Sequence, residues 1–186
     1  MGNHEDDLDI EDITQNLNKK KKIKSGVKGK RGERQVINDL NKRFAKLIAE
    51  NPSGGGFSRT VGSGNRWGQN VNLPKHALDT FVGDIVAPIN FKFVIESKKG
   101  YNDIDLFNCF TGKCRELDEF LQQATDDAGR SGKKPMLVWS KDRKDKVVFI
   151  RDEDIGEVTG IYLKYNGWTG VLFKSLLKRP DKFFFE

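Results

Sequence analysis

Two carboxylates and a lysine near the middle of the chain have the types and spacing needed to hold a divalent cation against a phosphate. Asp84 lies in one apolar run, residues 80–87, and Glu96-Ser97-Lys98 closes a second, residues 91–98. The connection between them contains Pro88 and Asn90, which predicts a β-hairpin. Folded symmetrically about Asn90, such a hairpin sets Asp84 opposite Glu96. Side chains alternate along a strand, so Lys98 joins Glu96 on one face and Lys99 turns to the other.

Like charges opposed across a rung repel, and the flanking Phe81, Val82, Ile85, Val86, Phe93, Val94 and Ile95 predict central, buried strands. A hard cation such as Mg²⁺ or Mn²⁺ offsets that repulsion, with water and phosphate oxygens completing its shell. Bound there, it would polarise a phosphodiester and acidify an attacking water. Lys98 would orient that water or neutralise charge developing on the phosphorane. The alternative is an ordinary charge pair at the end of an exposed strand.

Several elements must position these groups. Val36, Ile37, Leu40, Phe44, Leu47 and Ile48 recur at helical spacing, predicting a helix from Gly32 to Glu50 that Asn51-Pro52-Ser53-Gly54 ends. A short strand is expected at 57–61 and a glycine-rich loop at 62–68. A second helix is expected at 113–129, with Leu117, Phe120, Leu121 and Ala124 on one face, then strands at 136–139 and 146–150. In the tail, 160–165 reads as a strand and 170–178 as a short helix. The order predicts an α/β fold with a mixed central β-sheet flanked by helices.

The 186 residues suit one domain, 27–186, preceded by a flexible charged arm, 1–26, too poor in apolar side chains to fold alone. The net charge of +6 suits a polyanionic partner. No apolar run is long enough to span a bilayer, and the acidic start does not match a signal peptide; the expectation is a soluble, cytoplasmic protein with no membrane partner. Cys109 and Cys114 read as reduced thiols or as half of a zinc site. His4 and His76 are the only histidines, so no Ser/His/Asp triad competes, and no phosphate-binding P-loop is present.

Five segments in order carry a family resemblance. They are Lys28-Gly29-Lys30-Arg31-Gly32-Glu33, Arg59-Thr60-Val61-Gly62-Ser63-Gly64, Asp84, Glu96-Ser97-Lys98, and Gln123-Ala124-Thr125-Asp126-Asp127-Ala128 followed by Lys134-Pro135. The set resembles the PD-(D/E)xK nuclease superfamily, with its restriction-endonuclease-like core, and within it the archaeal-type Holliday junction resolvases and their phage relatives. Gly83 stands where that pattern usually has Pro. The resemblance implies Glu33, Asp84 and Glu96 as ligands of one or two Mg²⁺ or Mn²⁺ ions. It implies Lys98 as the residue assisting the water, with Ser63 and Gln123 supporting the site. Gln122 adjoins Gln123, and the pattern chooses the latter. Hydrolysis leaving a 5′-phosphate and a homodimer matched to the two-fold symmetry of a junction are implied as well.

DNA is then the expected partner, branched or four-way. Nine basic residues between Lys19 and Arg34, among them Lys28, Lys30, Arg31 and Arg34, are candidates for phosphate contact, as are Arg59 and Arg66 beside the glycine-rich loop. A solvated tail is the other reading of the basic run. Trp67 is a base wedge or a loop anchor, and Phe183-Phe184-Phe185 completes the core or covers a subunit interface. A less selective phage or defence nuclease, and a DNA-binding protein that has lost catalysis, are the functional alternatives.

Overall fold

A computed structural model of the chain describes residues 25–60 and 82–186. Residues 1–24 of the arm read at 1–26, the loop with Ser63, Arg66 and Trp67, and the first residues of the expected hairpin lie outside the described residues; Ser25 and Gly26 belong to the first helix.

Helix α1, Ser25–Arg43, starts seven residues before Gly32, where the apolar spacing predicted it would begin. Its first turns carry no apolar stripe for the sequence to show, and Lys28 ties them to Asp142 at 3.0 Å. Val36, Ile37, Leu40 and Phe44 are its buried face. At Phe44 the backbone leaves helical geometry (ψ 18°), and α2, Ala45–Glu50, follows, so the single helix expected there is broken.

Among the described residues, seven strands form one sheet: β1 (Ser58–Arg59), β2 (Ile85–Val86), β3 (Phe93–Lys99), β4 (Lys134–Ser140), β5 (Val147–Arg151), β6 (Leu163–Tyr165) and β7 (Trp168–Leu172), in the order β1-β2-β3-β4-β5-β7-β6. Of these neighbours only β3 and β4 run parallel. A parallel neighbour needs a long crossover. Here α3, Arg115–Ser131, supplies it after a short 3₁₀ turn at Leu106–Thr111. The sheet is therefore mixed and flanked by helices.

Alternation along β3 separates two layers. Phe93 and Ile95 join Met136, Val138, Val148, Ile150 and the α1 side chains in one core. Leu137, Trp139 and Phe149 pack under Leu117, Phe120, Leu121 and Ala124 of α3 in the other, which also buries Cys109 and Cys114. Both cysteines are free thiols. Among the described residues no helix is long and apolar enough to cross a membrane.

The tail corrects one expectation. Beyond α4 (Asp152–Ile155), residues 168–172 form β7, and the helix read at 170–178 is only α5, Phe173–Leu176. Gly170 pairs with Phe149, and a Cβ there would meet the Phe149 ring at 2.7 Å. The strand thus needs a residue whose missing side chain hides the strand pattern. The last helix, α6 (Asp181–Phe184), returns to the α1 layer, where Arg43 donates to the carbonyls of Leu177 (2.6 Å) and Arg179 (2.9 Å) and pairs with Asp181 at 2.6 Å.

Candidate active site

The hairpin has the symmetric register: Ile85 pairs with Ile95, which brings Asp84 beside Glu96. β2 is nevertheless only two residues long. Gly83, at φ 77°, turns the chain sharply just before it, and a Cβ at Gly83 would lie 2.8 Å from both the Ile95 carbonyl oxygen and Val94 Cγ1. Proline, fixed near φ −65°, cannot adopt this conformation, so the departure from the family pattern is a requirement of the local backbone. Gly83→Ala is expected to cost about 1–3 kcal/mol, read by chemical denaturation, and to displace Asp84.

Three backbone contacts fix Asp84. Its N–H donates to the Ile95 carbonyl and its carbonyl accepts from Thr60 N–H, both at 3.1 Å, while its Oδ2 accepts from Ser97 N–H at 3.0 Å. Glu96 is 1% exposed. Its Oε1 accepts from Lys98 Nζ at 2.5 Å, and its Oε2 is buried with no hydrogen-bond partner among the described residues. Lys98 also donates to Gln123 Oε1 at 2.7 Å, and its ammonium lies 5.5 Å from the centre of the Phe120 ring, within cation–π range. Gln122 instead pairs with Asp126 along the exposed side of α3. Of the two glutamines, Gln123 is thus the one that reaches Lys98.

Burial raises the Asp84 carboxyl above its ordinary range, aided by Glu33 and opposed by Ser97 N–H and Lys98. Burial, and then the Asp84 charge, push Glu96 up to about 8 against the pull of Lys98. Two acids of one sign are thus held together in a site that disfavours their ionisation.

Glu33 reaches the same neighbourhood from α1, but Arg59 Nε on β1 donates to its Oε2. Among the described residues no three acidic, histidine or cysteine side chains converge on one point. The structure thus brings Asp84, Glu96, Lys98 and Gln123 together and sets Glu33 close by, tied to Arg59. Of the basic candidates, Lys30, Arg31 and Arg34 are exposed on α1, whereas Lys28 is engaged by Asp142.

One site neighbour was not singled out in the sequence. Asp127 follows Gln123 by four residues on α3, faces Lys98 and Glu96 closely enough to perturb Glu96, and has its own carboxyl raised by burial despite Arg130 at 3.1 Å. The signal was its helical spacing from Phe120 and Gln123, which sets all three on one face.

Residues 24–174 match the family model described as "Phage putative PDDEXK endonuclease". The chain belongs to this family. Its mixed sheet with flanking helices is the restriction-endonuclease-like fold of PD-(D/E)xK enzymes, and the family makes it a nuclease, with DNA as substrate. No curated protein and no solved structure matches the chain. PD-(D/E)xK nucleases typically use divalent metals, and the donor set here fits one. Two adjacent carboxyl groups are hard oxygen donors, and Glu96 Oε2 is a buried oxygen with no hydrogen-bond partner among the described residues.

Proposed function

We propose that this phage-type PD-(D/E)xK protein is a Mg²⁺- or Mn²⁺-dependent DNA endonuclease that acts preferentially on branched DNA, four-way junctions above all. The observation that carries the metal-dependent reading is the pairing of Asp84 with Glu96, whose Oε2 is buried without a hydrogen-bond partner among the described residues, beside a lysine already held in place. Asp84 and Glu96 would hold the metal, with Glu33 as the third acid. The bound ion supplies Lewis acidity at the phosphate and lowers the pKa of a water.

The protein's own groups do the positioning. Ser97 N–H fixes one oxygen of Asp84, so the carboxylate cannot rotate away from Glu96. An ammonium carries three donors, and Glu96 and Gln123 take two from Lys98. The third remains for the attacking water or a non-bridging phosphate oxygen. Phe120 beneath the ammonium limits its hydration, which strengthens its interaction with charge developing on the phosphorane. By the resemblance Ser63 would support the site, and Lys28, Lys30, Arg31, Arg34, Arg59 and Arg66 would bind the DNA backbone. A homodimer matches the two-fold symmetry of a junction.

The test is cleavage of a synthetic four-way junction with Mg²⁺, beside linear, nicked and flap substrates and an EDTA control. Junction cleavage at least tenfold faster than linear, lost in EDTA, is the expected result. Equal rates on all substrates would leave the less selective phage nuclease in place of a resolvase, and cleavage persisting in EDTA would remove the metal from the mechanism.

A further inference from the structure

The acid that the family pattern gives to the metal is held by an arginine. Glu33 is 8% exposed, and its Oε2 takes the Arg59 Nε–H. Arg59 lies on β1, one of the two edge strands of the sheet among the described residues, and its side chain is 30% exposed. One end of this arginine is therefore inside the acidic site while solvent still reaches it. The next residue, Thr60, donates its N–H to the Asp84 carbonyl, so the strand that carries Arg59 is bonded directly to the strand that carries the first acid.

A nearly buried carboxylate needs a counter-charge. At Glu33 two kinds compete for the same oxygen: the guanidinium that holds it in this structure, and the divalent cation of the proposed mechanism. A guanidinium, however, is also the side chain best shaped to grip a phosphate through two parallel hydrogen bonds. A DNA phosphate arriving at the sheet edge offers Arg59 a second partner of equal charge and better geometry.

We infer that Arg59 is a positioning residue that couples DNA binding to metal binding. In the DNA-free protein it occupies Glu33; when a backbone phosphate draws it outward, Glu33 is released to complete the acidic site with Asp84 and Glu96. The inference rests on the metal-dependent reading proposed above. It makes the two ligands mutually reinforcing, because linkage requires DNA to tighten the metal by the same factor as the metal tightens DNA.

The experiment is Mn²⁺ titration followed by loss of the free-ion electron paramagnetic resonance signal, without activity as a readout. In the DNA-free protein, Arg59→Met should bind Mn²⁺ about tenfold more tightly than wild type, the scale of one charge-assisted hydrogen bond. Adding Glu33→Gln should erase that gain, as a double-mutant cycle requires. A saturating linear duplex, corrected for the ions it binds alone, should tighten Mn²⁺ binding to wild type by a similar factor and leave Arg59→Met unmoved.

A gain that survives Glu33→Gln would be the mere loss of a nearby positive charge, and would overturn the coupling. So would an unchanged or weaker affinity in Arg59→Met, provided Asp84→Asn still abolishes Mn²⁺ binding. If Asp84→Asn has no effect in any state, the metal-dependent reading itself falls, and the coupling with it. Should Arg59→Met fail to fold, the wild-type titration decides alone, since equal Mn²⁺ affinity with and without duplex excludes coupling.

Discussion

Asp84→Asn is expected to lower the cleavage rate by on the order of 10²–10³-fold or more while making the metal-free protein more stable at pH 8. The two effects have one cause. Asp84 and Glu96 are buried side by side; burial raises both carboxyls, and the Asp84 charge adds to it at Glu96, which is pushed up to about 8. A group whose folded pKa lies above its unfolded value contributes stability that is full below the unfolded pKa, near 4, and is lost as pH rises through the folded pKa. The wild-type melting temperature in EDTA should therefore fall between pH 5 and pH 8. Asparagine keeps an oxygen to accept the Ser97 N–H but carries no charge, so the variant should lose less over that interval. Differential scanning fluorimetry at the two pH values reads the difference, and an electrophoretic shift should show junction binding retained. Parallel pH profiles for the two proteins would mean that the acids do not oppose each other, and active Asp84→Asn protein would remove Asp84 from the chemistry. Gained stability with lost activity is the signature of a site whose strain serves function.

The parts of this site that local rules connect were legible in the sequence. Strand alternation separated Lys98, on the α3 side with Gln123, from Lys99, which bonds Gln35 of α1 on the other face at 2.8 Å. The symmetric turn about Asn90 set the Ile85–Ile95 register, because β2 and β3 are joined by one short turn and a one-residue slip would turn the apolar side chains to the wrong face. The pairing of Glu33 with Arg59 was not legible. It joins a helix to an edge strand across 26 positions, and no spacing rule relates two residues that meet only after the sheet has formed. Gly170 concealed structure for another reason: it is glycine because the Phe149 ring fills the place of a Cβ, so the residue that makes the strand possible also removes the pattern that would reveal it. Asp127 was hidden by its type. An acid on a charged helix reads as solvated until Phe120 and Gln123 show which way that face points.

Phe184→Ala should destabilise the protein by about 3–5 kcal/mol, a large share of the 5–15 kcal/mol typical of a domain. Chain ends normally fray, yet Phe184 is fully buried. Its ring stacks on Phe91 at 6.2 Å and meets Phe44 edge-on at 5.0 Å, its carbonyl accepts Lys92 N–H at 2.8 Å, and Phe185 bridges to Phe91. The terminal aromatic cluster therefore fills the layer between α1 and the start of β3, which supports the core reading of Phe183-Phe184-Phe185 over the interface one. At about 2–4 °C per kcal/mol for a chain of this size, the melting temperature should drop by roughly 10 °C. A core residue lowers it equally at every protein concentration, whereas an interface residue would make the wild-type melting temperature rise with concentration and the variant's less so. Since β3 carries both Phe93 in this cluster and Glu96 in the site, loss of Phe184 should also loosen the strand that aligns Glu96 and Lys98, and Mn²⁺ affinity should fall with stability. An Mn²⁺ affinity equal to wild type in a folded but destabilised Phe184→Ala protein would show that the two ends of β3 are mechanically independent.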